Sequence, residues 1–151
     1  MRLNSSVRSM QGVAALEFAI VFPVLFLVMY GMVFYAMIFA AKHTLAEAAA
    51  DGARTAVRFM TAKDDVFARK NAACTQAKNG VTWIEQMSGA SVSCSTENAV
   101  NCTKPSGSKV ECLSITLSYA YAQNPLLPRL PILPAPLSLS GNAVTQIALS
   151  Y

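Results

Sequence analysis

Residues 18–41 read FAIVFPVLFLVMYGMVFYAMIFAA, an apolar run of about 24 residues without one charged side chain. As an α-helix this run is about 36 Å long, enough to cross a hydrocarbon layer of about 30 Å with some tilt. Pro23 and Gly31 weaken a helix in water, but both are common in membrane-spanning helices, where lipid gives the backbone no competing hydrogen-bond partner. The run is too long for the core of a cleavable secretory signal, about 7–15 residues, so it reads as an anchor. Only 13% of the chain is charged, against roughly 25% in soluble domains, and the deficit lies in this run. Arg2 and Arg8 precede it and Lys42, Arg54 and Arg58 follow it, so charge counting leaves the orientation open.

The remaining chemistry is sparse. The net charge is +4, but the Lys and Arg residues are scattered and not interleaved with aromatics, so nucleic acid is not an expected partner. His43 is the sole histidine and lies just past the apolar run, a structural place. No Ser, His and Asp set, phosphate loop or metal-ligand cluster stands out, so no enzyme, cofactor or metal is expected. Cys74, Cys94, Cys102 and Cys112 all follow the run. Without a CxxC they read as disulfides if that side is outside the cytoplasm. Three pairings are open; the favoured one closes a local Cys94–Cys102 loop and ties Cys74 to Cys112.

Beyond the run the pattern predicts an α+β head. Leu45, Ala48, Ala49, Gly52, Ala53, Ala56 and Val57 recur at helical spacing, so the first helix is expected to continue to residue 60. Its Ala and Gly strip suits either close packing on another subunit or packing on the protein's own head. Glu47, Asp51, Arg54 and Arg58 are within reach of local ion pairs. After a break at 61–65, Val66, Phe67, Ala73, Cys74, Ala77, Val81 and Ile84 predict a second helix ending near Gly89, with Trp83 and Met87 in the core. Leu113, Ile115, Leu117, Tyr119 and Tyr121 alternate as one buried strand face. Leu137, Leu139, Ala143, Ile147 and Leu149 predict another strand, with a bend or bulge at Gly141 and Asn142. A short strand over 91–95 completes a small antiparallel sheet. Between the longer strands Pro125, Pro128, Pro131 and Pro134 fall at three-residue spacing, the period of polyproline II, with Leu127, Leu130 and Leu133 on another edge. That segment is either a stiff connector over the sheet or an exposed docking strip.

Glu17 stands directly against the apolar run, where an unpaired carboxylate costs a few kcal/mol. It is preceded by the basic leader MRLNSSVRSMQG and the junction VAALEF, which together resemble a type IV prepilin signal. In that class a prepilin peptidase cuts after the glycine, here Gly12, and leaves Val13 as the amino terminus with Glu17 at mature position five. A freed amine is a cation at neutral pH and can pair with a glutamate of a neighbouring subunit. GVAALEFAIVFPVLFLVMYG followed by LAEAAADGARTAV is similar, more closely, to the TadE-like minor pilins or pseudopilins of the Tad (tight adherence, Flp-type type IV pilus) system. Phe18 stands where the major pilins of that system carry tyrosine, which favours a minor component.

The resemblance implies a pilin-like organisation: leader 1–12, membrane and assembly helix 13–60 with its span at about 18–41, and head 61–151. It implies a single-pass protein of the bacterial inner membrane with its head in the periplasm, in or at the tip of an extracellular pilus. The implied partners are other pilin or pseudopilin subunits, the prepilin peptidase and inner-membrane lipid, with Glu17 and Phe18 setting register. The alternative is an uncleaved, single-pass periplasmic binding protein.

Overall fold

A computed structural model describes residues 6–58, 66–99, 102 and 112–146, in the order α1 (Ser6–Arg58), α2 (Val66–Asn79), α3 (Thr82–Ser88), β1 (Ser93–Ala99), β2 (Cys112–Tyr119) and β3 (Leu139–Gln146). The class is α+β, with a long apolar amino-terminal helix and a three-stranded antiparallel sheet, as expected. The chain divides into two units, Met1–Ala36 and Met37–Tyr151, and α1 runs through the boundary.

In the first unit α1 is unbroken at Pro23, although proline withholds the N–H that would bond the carbonyl of Ala19. Every side chain from Gly12 to Met29 is exposed. Phe18, Phe22, Phe26, Tyr30 and Phe34 recur at i, i+4, and consecutive rings stack with centroids 5.4–6.3 Å apart. This aromatic ladder follows from helical geometry, which superposes such positions one turn apart.

In the second unit the sheet order is β1-β2-β3, both pairs antiparallel. The face of β2 carrying Leu113, Ile115, Leu117 and Tyr119 is buried, and so is Tyr121 beyond it, as the alternation predicts. Each large aliphatic side chain so buried contributes about 1.5–3 kcal/mol. Apart from Leu45, the helix that meets them supplies small residues: Ala41, Ala48, Ala49, Ala53 and Ala56 of α1 are buried, with Ala73 and Ala77 of α2. Large side chains from the sheet thus fill space that the alanines leave, and the Ala and Gly strip is spent on the protein's own head. A Cβ on Gly52 would stand 2.7 Å from the Ala73 carbonyl oxygen, and one on Gly80 would stand 3.0 Å from Ala48 Cβ.

Gly141 is the tightest point. A Cβ there would stand 2.5 Å from both the Ala46 nitrogen and the Leu45 oxygen. The expected bend or bulge is absent: Leu117 pairs with Gly141 and Thr116 with Asn142 in unbroken register. Glycine is needed because the strand lies directly on a helix backbone.

Several other expectations are corrected. The second helix is two helices, because the poor helix-former pair Asn79-Gly80 ends α2; α3 then stops where Gly89, at φ 70°, returns its N–H to the Glu85 carbonyl. The buried stripe of α2 is Arg69, Ala73 and Ala77 at i, i+4. Phe67 lies two residues, about 200°, off that stripe and is 70% exposed. Ile84 is buried, whereas Trp83 is half-buried and Met87 is exposed, since two turns of α3 bring only one side to the core. The first strand is Ser93–Ala99, longer and later than expected, and Leu137 is exposed ahead of β3. Residues 59–65, Ile147 and Leu149, named in the sequence reading, lie outside the described residues.

The Pro segment is no continuous polyproline II strip. It folds back so that the Ala122 N–H meets the Leu137 carbonyl at 2.9 Å, and a turn from Leu130 to Leu133 interrupts it. The three-residue period survives in burial: Leu127, Leu130 and Leu133 are half-buried while Pro128, Pro131 and Pro134 are exposed.

Gly141→Ala is expected to lower head stability by roughly 1–3 kcal/mol, the usual range for overpacking, read as a fall in Tm. The exposed neighbouring change Asn142→Ala should leave Tm unaltered. Equal midpoints for both variants would contradict the close approach.

Candidate assembly helix and its head

Glu17 and Phe18 lie on α1 at the start of the aromatic ladder, one turn beyond Val13, and all three are exposed. Helical spacing puts Val13 and Glu17 on one side of the helix. Gly12, the residue before the expected cut, is also helical and has open space around its Cα. Among the described residues Glu17 forms no ion pair within its own chain; the ion pair that is described joins Arg54 Nη1 to Asp51 Oδ1 at 2.9 Å, both exposed. Such a pair contributes about 0–1 kcal/mol and is local, as expected. His43 packs edge-on against Phe39 with centroids 4.3 Å apart.

Among the described residues one helix, Gly12–Arg58, is long and apolar enough to cross a membrane, and none of its most apolar stretch is buried. Its length and composition are compatible with a single-pass membrane anchor.

All four cysteines are oxidised, and the pairing differs from the favoured one: Cys74 bonds Cys94 and Cys102 bonds Cys112. The reason is the strand. β1 extends through Ala99, carrying the chain about 17 Å from Cys94 and delivering it opposite Cys112, the partner of Ala99 in the sheet. Cys94 is left beside α2, where Cys74 meets it with Cα atoms 5.9 Å apart. The bond matters for α2, whose buried residues among those described are two alanines and Arg69, a small apolar contribution.

Other fixing contacts gave no signal in sequence. Glu85 Oε1 accepts the Val92 N–H at 2.7 Å and closes the turn after α3. The Tyr119 hydroxyl donates to the Asn124 carbonyl, and Arg129 Nη2 donates to the Tyr121 carbonyl at 3.0 Å. The Arg129 guanidinium also lies 5.8 Å from the Tyr121 ring centroid. Each closes a turn or loop between residues 5–8 positions apart, with no periodic pattern to announce it.

An exposed apolar helix that continues into a small disulfide-bonded α+β head is a pilin-like architecture. The model of the family described as TadE-like protein matches residues 12–54. This segment, from the junction through Arg54, is TadE-like, as its residues suggested. Neither curated proteins nor solved structures gave a match.

Digestion of unreduced protein should yield peptides joining Cys74 to Cys94 and Cys102 to Cys112. Replacing the first pair with alanines should cost about 2–4 kcal/mol. A Cys94–Cys102 peptide, or free thiols in the denatured unreduced chain, would contradict the arrangement.

Proposed function

We propose that this chain is a minor pilin or pseudopilin that acts in assembly of a Tad, Flp-type pilus used for adherence or secretion. The observation that carries the reading is the coincidence of three features on α1: the TadE-like match, the exposed apolar surface and Glu17 at its head. A prepilin peptidase cuts between Gly12 and Val13. The span near 18–41 holds the unassembled subunit in the inner membrane, with the head in the periplasm. On assembly the same apolar side chains exchange lipid for the helices of other subunits.

Lipid and an apolar neighbour are nearly equivalent surroundings for Phe22 or Leu25, so hydrophobic burial gives little preference for the assembled state. Preference and register come from polar pairing and shape. Glu17 supplies the first by meeting the Val13 amine of a neighbour, because a carboxylate at the hydrocarbon edge is stable only when solvated or paired. The aromatic ladder supplies the second. An isolated pair adds little net stability, so loss of Glu17 acts on register and specificity.

Wild type and Glu17→Gln, which removes charge and nearly keeps shape, should both be membrane-bound with Val13 at the amino terminus. Glu17→Gln should co-purify less with other pilus components and support fewer pili. Equal co-purification and pilus production would make Glu17 a solvated interfacial residue. Recovery of only full-length chains beside an active peptidase would instead favour an uncleaved, membrane-anchored binding protein.

A further inference from the structure

The connection between β2 and β3 is apolar and unused by the function proposed above. From Tyr119 to Gln146 the sequence holds no Asp or Glu and one base, Arg129. Leu126 is buried, but Ile132 is 74% and Leu137 80% exposed. The segment is held in shape by the bonds of Tyr119 to Asn124, Arg129 to Tyr121 and Ala122 to Leu137. Pro125, Pro128, Pro131, Pro134 and Pro136 carry no N–H, so this backbone has few donors to leave unsatisfied in an apolar medium.

Its position follows from the packing of β3. Gly141 lies on Leu45 and Ala46, and Ala143 packs on the cluster containing Ala53 and Ala56, so β3 and α1 run in the same sense. Two residues back, Leu139 lies about 7 Å nearer the start of this unit, about five residues of helix rise, level with Ala41. The connection therefore leaves the sheet at the end of the head where the apolar run of α1 finishes and the exposed Lys42 begins.

We propose that the β2–β3 connection contacts the membrane surface, with Ile132 and Leu137 entering the acyl boundary beside residues 37–41 of α1. Arg129 and Lys42 lie at headgroup level, where long basic side chains keep their charge in water and their stems in lipid. The proposal rests on the reading of α1 as a membrane anchor. Lipid is favoured over a protein partner because the exposed side chains are aliphatic, acids are absent, and the segment leaves the sheet level with Ala41, within the apolar residues 37–41 of α1.

The test uses full-length protein in vesicles of phosphatidylethanolamine and phosphatidylglycerol brominated in the outer part of the acyl chains. Trp83, the sole tryptophan, is replaced by Phe, and single tryptophans are introduced as Ile132→Trp, Leu137→Trp, Phe39→Trp and Glu97→Trp. The proposal expects Ile132→Trp and Leu137→Trp to lose emission as strongly as Phe39→Trp, while Glu97→Trp, distant on the sheet, keeps its emission. Retained emission at 132 and 137 with loss at 39 overturns the loop assignment and leaves the anchor standing. Retained emission at all four positions overturns the anchor and the proposal together. Protection of 132 from an aqueous quencher only in assembled pili, without quenching in vesicles, assigns the loop to a subunit contact and overturns the lipid assignment.

Discussion

The head depends on a backbone-to-backbone approach: β3 lies on α1 at Gly141, where the strand meets Leu45 and Ala46 with no room for a methyl group. That contact fixes the height of the sheet over the helix. It sets how much side chain fits between them, which is why α1 contributes alanines and β2 contributes Leu113, Ile115 and Leu117. The same economy of space recurs where Gly52 receives α2. Dispersion contacts in such an interface are dense, but apolar area per residue is small. The Cys74–Cys94 bond offsets that deficit for α2.

A single helix therefore serves two environments. Through Met29 its side chains are exposed and include Phe18, Phe22 and Phe26 of the aromatic ladder, whereas from Ala41 to Ala56 one side is the core of the head. The composition changes accordingly. Phe, Leu, Val and Met suit lipid or a neighbouring helix, and Ala and Gly suit close contact with a sheet. In the proposed assembly the first part changes partners while the second keeps its own, so the head remains intact as the anchor leaves the bilayer.

Most of this was legible from residues whose neighbours in sequence are also their neighbours in space. The apolar run, the alternation in β2 and the Ala strip of α1 are periodic signals, and the structure follows them. Where the sequence misled, the missing information was tertiary. Phe67 looks like core until the stripe of Arg69, Ala73 and Ala77 defines which side of α2 is inward. Gly141 looks like a bend until the helix beneath it is known. The cysteine pairing required the length of β1, and SCSTENA has no apolar alternation to announce a strand. The Glu85 and Arg129 contacts are local, 7 and 8 positions apart in sequence, but carry no periodic signal. Glu17, by contrast, was singled out by its place against the apolar run, and the family match covers it.

The central claim is that residues 45–56 of α1 are part of the head's core rather than an independent stalk. Amide hydrogen exchange on the full-length protein in lipid vesicles addresses it directly. The account predicts that amides of this stretch exchange slowly and at the same rate as those of β2 and β3, as one cooperative unit. Strands that stay protected while residues 45–56 exchange like a solvated helix would contradict it.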